Sequence, residues 1–395
     1  MTQALRSTAP QSNGDYPGPL WGKVLDADGH LYVLPEIAKE IIEPLKSPVA
    51  MPFYEEQIKT QEYKDTRAKN RTPEGLWEIK GMPALGSYDP AERVEAIQAM
   101  GLEAQLLFPN IGAGNIRIDS DIARQVCSRY NDYAIEVTTK TRDLARGVCE
   151  LNMTQPEWSI KELERILKKG AKAVSMPCHR SPGGVSPAHE IWDPVWAMLE
   201  EANVPALLHL GGAGLLHNRT PEDLMFPDPT WGEAKTLRNK PAMRSGGEEA
   251  ISPYFMLVTH MAPELWIQTM VMGKVFERFP RLRFGIIELS AAWVGPMAER
   301  MDMWAEFMNK VGVKYDMKPS EYLRRNVRVT PFWHENLTQI IDRYGLEEMW
   351  VFSTDYPHLE GSKDPYGKFG KWLKKLKPGY EKAFLVDNSK WLFGA

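Results

Sequence analysis

Residues 23–30, K-V-L-D-A-D-G-H, form a largely apolar run that ends in acidic and histidine side chains. The same design recurs at residues 204–212, V-P-A-L-L-H-L-G-G, where His209 stands near the end of the run. Apolar runs of this length are typical of buried strands, and open or closed α/β sheets place their chemistry where parallel strands end. These two segments therefore predict a parallel sheet with a functional site at its carboxyl edge.

Six further runs of the same kind follow along the chain. They cover residues 104–110, 145–152, 171–177, 282–290, 326–333 and 349–358. Most of them alternate with segments such as residues 156–170, whose apolar side chains recur at helical spacing. Eight strands that alternate with helices are the pattern of a (β/α)8 barrel, so we predict an α/β fold with a distorted barrel of the TIM type. Two doubly wound halves are the alternative, but no glycine-rich dinucleotide motif follows any run.

Two connections are too long for a minimal barrel. They cover about residues 31–92, after the first run, and about residues 211–250, after the fifth run. Both leave the carboxyl ends of strands, so we expect them to fold over the barrel mouth as lids or as oligomer contacts. Residues 1–20 lack the apolar region of a signal peptide, and we predict a flexible arm there, followed by one domain over residues 21–395.

The composition excludes several classes of protein. Charged residues make up 25% and hydrophobic residues 43% of the 395 residues, as is usual for a folded globular protein. The formal net charge is -4 and no long run of lysine or arginine occurs, so we predict no nucleic-acid partner. No apolar stretch approaches the roughly 20 residues of a membrane span, so we predict no membrane contact. Three cysteines without metal-type spacing fit a reducing compartment, and we expect a cytoplasmic protein.

Candidate ligands stand at or just after the ends of the predicted strands. They are Asp28, His30, His209, Glu288, Asp355 and His358. Strand ends converge on one cavity in such a barrel, and mixed nitrogen and oxygen donors suit Zn(II), Mn(II) or Fe(II). Each residue alone is a weak signal, but several independent strand ends together favour a metal site. The histidines predicted to lie in loops or at the rim are His179, His189, His217 and His334.

The sequence resembles the amidohydrolase superfamily, in its branch related to aminocarboxymuconate-semialdehyde decarboxylase. The matching segments span nearly the whole chain after residue 20. They are V-L-D-A-D-G-H at residues 24–30, DPAERVEAIQAMGLEAQLLFP at 89–109, ARQVCSRYNDY at 123–133, HLGG at 209–212, VFERFPRLR at 275–283 and FSTDYPH at 352–358. Together they indicate this superfamily with high specificity.

The resemblance implies a divalent metal, Zn, Mn or Fe, at the mouth of a distorted barrel. In this family the first strand supplies two ligands two residues apart, which correspond here to Asp28 and His30. The fifth-strand histidine and the eighth-strand aspartate of the family correspond to His209 and Asp355. The family's decarboxylases carry a histidine at the end of strand six, whereas this chain has Glu288 at or beside that position.

Three functions stay open at this point. With one metal, the enzyme would decarboxylate or hydrolyse a small carboxylic acid, with Glu288 moving a proton and His260 binding the substrate anion. With two metals, the second held by Glu288, His260 and His358, it would be an Fe or Mn oxygenase similar to isobutyrate hydroxylase-like relatives. A barrel without activity that supports a related subunit is the third. The family implies a homo-oligomer, or a hetero-oligomer with a homologous subunit.

Overall fold

The strands of the barrel pair in parallel and in chain order. The computed structural model describes residues 18–43, 58–110, 118–178, 181–210, 229–238 and 252–394. The strands within these ranges are β1 (Val24–Leu31), β2 (Leu102–Pro109), β3 (Ala145–Gly147), β4 (Cys149–Glu150), β5 (Val174–Met176), β6 (Ala206–His209), β7 (Phe284–Ile287) and β8 (Val327–Val329). β1 to β3 form one sheet and β4 to β8 form the other.

The two sheets join into a ring of eight parallel segments. β3 and β4 belong to one run, in which Val148 N bonds to Leu107 O of β2 and the next residue bonds to Ala173 O beside β5. At the other edge, residues 350–356 form an eighth segment that bridges β8 through Trp350 and β1 through Tyr356. The architecture agrees with the predicted distorted barrel.

Two of the predicted strands differ from regular ones. The third run is divided because the chain changes its pairing partner at Val148. The eighth run is held by single bridges and by individual hydrogen bonds, such as the one of 3.0 Å from Ala27 N to Phe352 O. Asp355 has a φ of 55°, which is a left-handed conformation that continuous strands do not adopt. The run therefore bends at the residue that the sequence nominates as a ligand.

Helices occupy the connections between these segments. They are α1 (Pro35–Ile42), α2 (Gln61–Arg67), α3 (Pro73–Glu78), α4 (Pro90–Ala99), α5 (Asp121–Lys140), α6 (Pro156–Lys168), α7 (Asp193–Ala202), α8 (Lys235–Arg238), α9 (Pro253–Val258), α10 (Met261–Met272), α11 (Val275–Arg278), α12 (Val294–Asn309), α13 (Pro319–Asn326), α14 (Leu337–Tyr344), α15 (Pro365–Leu373), α16 (Tyr380–Lys382) and α17 (Asn388–Phe393). None of the helices in the described ranges has the length and apolar character that crossing a membrane requires.

Local sequence explains where the helices beside the site begin. Asp89 precedes α4, and its carboxylate accepts hydrogen bonds from the backbone N–H groups of Ala91 and Glu92. Asp364 caps α15 in the same way by accepting from Gly367 N at 2.9 Å. Both helices place a proline directly after the capping aspartate, where a backbone N–H would otherwise have no partner in the helix.

The inside of the barrel is filled by apolar side chains and closed at one end. The interior cluster consists of Leu25, Ala27, Ala104, Leu106, Phe108, Val148, Ala173, Leu207, Ile287, Val351, Leu392 and Phe393. The last two belong to α17, whose backbone carbonyls accept hydrogen bonds from Arg146 of β3 and from Arg283, which precedes β7. α17 thus covers the amino ends of the strands, and the opposite, carboxyl end is left for the site.

The described part of the long connection after β1 is attached beside the barrel mouth. Tyr32 N donates to Ser87 O at 2.9 Å, and Gly81 N donates to Pro357 O at 2.7 Å, just after the eighth segment. Helices α1 to α3 lie within this connection. Its role as a lid or an oligomer contact stays a prediction. Most of residues 211–250, residues 1–17 of the predicted arm, and both His179 and His217 lie outside the described residues.

Candidate metal centre

Four predicted ligands meet at the carboxyl end of the barrel. Asp28 Oδ1 lies 3.4 Å from His30 Nε2 and 3.2 Å from His209 Nε2. Asp355 Oδ1 lies 3.1 Å from the same His30 nitrogen. Donor atoms that bind one cation at about 2.1 Å lie about 3.0–3.4 Å from one another in octahedral or tetrahedral shells. The three distances, from His209 through Asp28 and His30 to Asp355, are therefore those of neighbouring donors around a divalent ion.

The positions of the four side chains follow from the barrel. Asp28 and His30 both lie on β1. They point to the same face, because side chains two residues apart in a strand share a face. His209 is the last residue of β6, and Asp355 ends the eighth segment, which pairs with β1. The ring of Phe108 in β2 packs against His209 with 4.0 Å between ring centroids and closes the apolar floor below the donors.

Buried atoms without hydrogen bonds support the fit to a metal. Both ring nitrogens of His30 and the Oδ1 atom of Asp355 are buried and lack a partner with good hydrogen-bond angles, although His30 Nε2 and Asp355 Oδ1 lie only 3.1 Å apart. Buried polar atoms in folded proteins nearly always have a partner, so these atoms call for one. A divalent cation between His30 Nε2 and Asp355 Oδ1 would satisfy both. The donor set, two imidazoles and two carboxylates, is also the kind that Zn(II), Mn(II) and Fe(II) take.

The charges of these groups are strongly coupled. Burial would lower the pKa of His30, but hydrogen bonding and attraction to Asp28 and Asp355 raise that pKa to about 9. Burial would raise the pKa of both carboxyls, but the histidines hold it below the usual range. For Asp28 the main stabilising partner is His209, and for Asp355 it is His358. The carboxylates thus remain charged and ready to bind a cation, and a metal would take the place of the imidazole proton.

Glu288 and His358 extend the donor set. Glu288 Oε2 lies 3.5 Å from His209 Nε2, and His358 Nδ1 lies 2.9 Å from Asp355 Oδ1. The donor atoms fall into two overlapping groups, each within 4.8 Å. These groups are Asp28, His30, His209 and Glu288, and His30, Glu288, Asp355 and His358. The structure therefore brings all six strand-end candidates together, with His30 and Glu288 common to both groups.

His358 is held from two sides. Its ring stacks on His30 with 3.4 Å between centroids and an angle of 20° between the planes. Its Nε2 atom lies 3.0 Å from Oδ1 of Asn110, the residue after β2. Asn110 was not predicted as a site residue, although it stands at a strand end like the others. The side chain of Asn110 therefore orients His358 toward Asp355.

His260 is not brought to these donors. Within the described residues it belongs to neither group, and its Nε2 atom lies 3.8 Å from Glu264 Oε2 on α10. It stands at the amino end of α10, where its ring stacks on Trp293 with 6.3 Å between centroids. The predicted place of His260 in a second metal site therefore lacks geometric support. Its contact with substrate stays a prediction.

The other described histidines lie in loops, as predicted. His189 accepts a hydrogen bond from Ile191 N at the start of a short 3-10 turn before α7. The ring of His334 stacks on Phe332 at 5.4 Å and meets Trp333 edge to face at 5.3 Å. Phe332 and Trp333 are on the wall of the pocket described below. His334 thus packs behind this wall, next to the rim where the sequence places it.

Two site residues have an unusual backbone conformation. Glu288 and Asp355 have φ values of 56° and 55°, in the left-handed region. Such conformations are costly for residues with a Cβ and concentrate at functional sites. Glu288 N donates to Thr330 Oγ1 at 2.8 Å, which fixes the turn after β7 to the neighbouring strand. Both turns direct a carboxylate into the barrel mouth. In a regular strand, successive side chains would instead alternate between the two faces of the sheet.

A pocket that is partly open to solvent lies beside the donors. The carboxylates of Asp28, Glu288 and Asp355 are part of its lining. The rest of its lining consists of Thr330, Pro331, Phe332, Trp333, Ser353, Thr354, Glu360, Gly361, Ser362, Pro365 and Phe369. Three of these residues present aromatic rings, and no lysine or arginine is among the described lining residues. The lining thus combines acidic and aromatic side chains beside the donors.

A buried polar chain under the ligands was missed by the sequence reasoning. Asp26 and Gln105 face each other across β1 and β2, and their side chains form a hydrogen bond of 2.7 Å. Burial raises the pKa of Asp26 to about 7, against hydrogen bonds from Thr354, Asp28 N and Gln105 that lower it. The available signal was a polar residue in the middle of each apolar run, which a buried strand rarely carries without a partner.

Gly29 is required by this arrangement, and we predict that Gly29→Ala destabilises the protein. A Cβ atom at this position would lie 2.4 Å from Nε2 of Gln105, which is buried and held by its own hydrogen bonds. We expect a loss of about 1–3 kcal/mol in the free energy of unfolding, the usual cost of overpacking. Urea denaturation measures it. Ala99→Gly on α4 is the reference variant for a small change in backbone freedom. Gly312→Ala is not suitable for this purpose, because the φ of Gly312 is 90° and alanine would be strained there. Unchanged stability of Gly29→Ala would contradict the prediction.

Comparison with known proteins identifies the family. Residues 26–395 match the family model described as amidohydrolase. Gamma-resorcylate decarboxylase of Polaromonas sp. (strain JS666 / ATCC BAA-500) is 25% identical over 275 residues, which are 67% of this chain and 76% of that protein.

Solved structures share the fold over almost the full length. Amidohydrolase map2389c from Mycobacterium avium subsp. paratuberculosis K-10 has a TM-score of 0.66 and 20% identity, with 94% of this chain and 99% of that chain covered. A 5-carboxyvanillate decarboxylase mutant from Novosphingobium aromaticivorans DSM 12444, with bound manganese, has a TM-score of 0.63 and 17% identity over 97% and 99% of the two chains. The predicted superfamily, barrel and enzyme class are confirmed. The chain belongs to the amidohydrolase family.

Proposed function

We propose that the protein is a metal-dependent decarboxylase of a small aromatic carboxylic acid. The observation that carries this proposal is the group of Asp28, His30 and His209, which Asp355 joins through His30, beside a pocket lined in part by aromatic rings. The relatives named gamma-resorcylate decarboxylase and 5-carboxyvanillate decarboxylase support the reaction and the substrate class. Bound manganese in the latter supports Mn(II) as the metal.

The four ligands would hold one divalent cation in this proposal. When bound, the cation supplies a Lewis acid that orients the substrate and stabilises negative charge on its oxygen atoms. Asp28 and Asp355 contribute two negative charges, and His30 and His209 are neutral donors once deprotonated. Asp28 and Asp355 line the pocket, so a carboxylate or phenolic oxygen of a substrate bound there would lie beside the metal ligands.

Glu288 would move the proton. Its carboxyl group lines the pocket and lies 3.5 Å from the His209 ligand nitrogen, so it would stand beside a substrate bound at the metal. A proton passes from Glu288 to this carbon, the bond between the carbon and the carboxylate breaks, and carbon dioxide leaves. The electron pair of the broken bond restores the aromatic ring, and Glu288 regains a proton from solvent. Phe332, Trp333 and Phe369 keep water away from the ring during this step.

The first experiment is metal analysis followed by a substrate screen. The protein is purified without added metal, and we expect about one manganese or zinc ion per chain. The loaded protein is then incubated with hydroxylated benzoates, and carbon dioxide release is measured. Release that depends on the metal supports decarboxylation. Hydrolysis of amides or esters without carbon dioxide would replace it with the hydrolase alternative, and a metal-free protein without either activity would overturn the proposed function.

A second cation is favoured by one observation. The donors His30, Glu288, Asp355 and His358 form a second group that shares members with the first. Glu288 belongs to both groups and would contribute to holding either ion. The hydroxylase alternative receives no support from the comparisons, whose named decarboxylases point to a different reaction. Two metals per chain that include iron, together with oxygen consumption, would establish it.

Metal removal is predicted to lower thermal stability. A ligand at 100 times its Kd stabilises the native state by about 2.7 kcal/mol, because it binds only the folded protein. For a chain of 395 residues this corresponds to a decrease in Tm of about 3 °C after chelation. Differential scanning calorimetry with and without EDTA measures the shift, and added Mn(II) should reverse it. An identical Tm in both conditions would contradict a metal bound to the folded chain. Whether copies of the chain, or a homologous subunit, assemble with it stays a prediction.

A further inference from the structure

We propose that Asp26 is a positioning residue that fixes the geometry of three metal ligands without binding the metal. This inference rests on the proposed metal centre. Asp26 lies on β1 two residues before Asp28, and its side chain is completely buried. Its carboxylate contacts the backbone of β1 and of the eighth segment, which carry three of the four ligands.

The carboxylate of Asp26 accepts four hydrogen bonds. Oδ1 accepts from Asp28 N and from Thr354 N, each at 3.0 Å. Oδ2 accepts from Gln105 Nε2 at 2.7 Å and from the Thr354 hydroxyl at 2.5 Å. A carboxylate has about four lone-pair directions, so these bonds use its whole capacity. Asp26 is therefore excluded as a further ligand, although it lies on the same strand as two of them.

The bonds of Asp26 act directly on the ligand backbone. Asp28 N belongs to a ligand, and Thr354 directly precedes the ligand Asp355. Thr354 also fixes the following turn, because its hydroxyl oxygen accepts from Tyr356 N at 3.2 Å. Asp26 thus adds side-chain bonds to the three backbone hydrogen bonds that join β1 to the eighth segment, and it fixes the two segments at the ligands.

Arg93 determines which chemical group residue 26 must present. Its guanidinium donates to Gln105 Oε1 at 3.0 Å and to the backbone oxygen of His30 at 2.6 Å. Because a guanidinium has only donors, the oxygen of Gln105 must face Arg93 and the amide nitrogen must face residue 26. Residue 26 must then accept a hydrogen bond. The hydrogen bonds therefore run in one donor-to-acceptor direction, from Arg93 to Gln105 and from Gln105 to Asp26. Arg93 also bonds to the backbone of His30, and Asp26 bonds to the backbone of Asp28.

An asparagine at position 26 would break this order. Its amide nitrogen would face a donor, either Gln105 Nε2 or the backbone N–H groups of Asp28 and Thr354. Turning the amide of Gln105 would only move the mismatch to Arg93. A glutamate at position 105 removes the conflict, because its two oxygen atoms accept from both Arg93 and the asparagine amide, while the Thr354 hydroxyl rotates to accept as well. The double variant therefore restores the hydrogen bond between residues 26 and 105, with residue 26 now the donor and residue 105 the acceptor.

The test compares Asp26→Asn with the double variant Asp26→Asn/Gln105→Glu. The Kd for Mn(II) is measured by electron paramagnetic resonance, and Tm is measured in EDTA. We expect Mn(II) to bind about 10–100-fold more weakly to Asp26→Asn, the usual effect of changing a residue behind a ligand, and within a few-fold of wild type in the double variant. Glu162→Gln is the matched control. Its buried carboxylate accepts from Asn131 and Arg165 away from the site, so this variant should lower Tm but keep the Kd.

The outcomes separate this inference from the proposed metal centre. Wild-type affinity in Asp26→Asn would overturn the positioning role and leave the metal centre in place. Equal weakening in the single and double variants would also overturn it, because the hydrogen-bond order would then not matter. Absence of Mn(II) binding to the wild type would overturn the metal centre, and the inference with it. If Asp26→Asn does not fold, Thr354→Val is used, which removes one donor to Asp26 and should weaken Mn(II) binding several-fold.

Discussion

Replacing His209 or Asp355 with alanine is expected to weaken metal binding by more than about 100-fold and to abolish activity. Residues behind metal ligands typically contribute 10–100-fold to affinity, so loss of a ligand itself should exceed this range. Asp355 has the larger expected effect, because its Oδ1 atom lies 3.1 Å from His30 and 2.9 Å from His358. Its removal leaves His358 without its carboxylate partner and leaves His30 with that of Asp28 only. Metal content after dialysis and rates of carbon dioxide release measure the two effects.

His189→Ala is the control for these variants. His189 lies in the loop before α7 and contacts the backbone of Ile191, away from the donor groups. It should therefore retain its metal and its activity. Circular dichroism shows whether each variant keeps the barrel. Full metal occupancy in both His209→Ala and Asp355→Ala would overturn the ligand assignment.

The second large effect is expected for Glu288→Gln. We expect kcat to fall by about 10²–10⁴-fold, the typical contribution of a positioned acid or base, while the first metal stays bound. Glutamine keeps the shape of the side chain, but it cannot deliver a proton to the substrate carbon. The four ligands of the proposed shell are unchanged in this variant. Steady-state kinetics and metal analysis of the same preparation separate the two effects.

Asp302→Asn provides a comparison outside the pocket. Asp302 on α12 accepts hydrogen bonds from the backbone and hydroxyl of Ser320, so its change tests only the general effect of removing a carboxylate. Activity of Glu288→Gln equal to that of Asp302→Asn would assign Glu288 a structural role. Loss of one of two metals in Glu288→Gln would instead indicate that this side chain bridges them.

The barrel and most of the donor set could be predicted because both depend on local patterns. Apolar runs indicate buried strands, and polar residues at their ends necessarily converge when eight parallel segments form a ring. Asp28, His30, His209 and Asp355 come together for this reason, with Glu288 and His358 beside them. The irregular eighth segment was not predicted, because its bend depends on the left-handed backbone of Asp355. The sequence suggests this conformation where it has a glycine, but not where it has an aspartate.

The supporting residues could not be predicted because their partners depend on strand register. Asp26 meets Gln105 only because these two residues are paired across β1 and β2. Arg93 belongs to α4, and its burial depends on how that helix packs over the sheet. His260 illustrates the reverse case. Its place in the chain suggested a ligand, but the start of α10 holds it against Glu264 instead.

The hydrogen bonds between Asp26 and Thr354 also determine how early in translation the site can form. The two residues are 328 positions apart, so the bond between them cannot form until almost the entire chain has left the ribosome. At about 5–20 residues per second, this delay lasts on the order of tens of seconds. Throughout that time β1 exposes Asp26, Asp28 and His30 without their partners from the eighth segment. The nascent chain therefore lacks the ligand Asp355 and the Thr354 contacts to Asp26, and completion of the site coincides with closure of the ring.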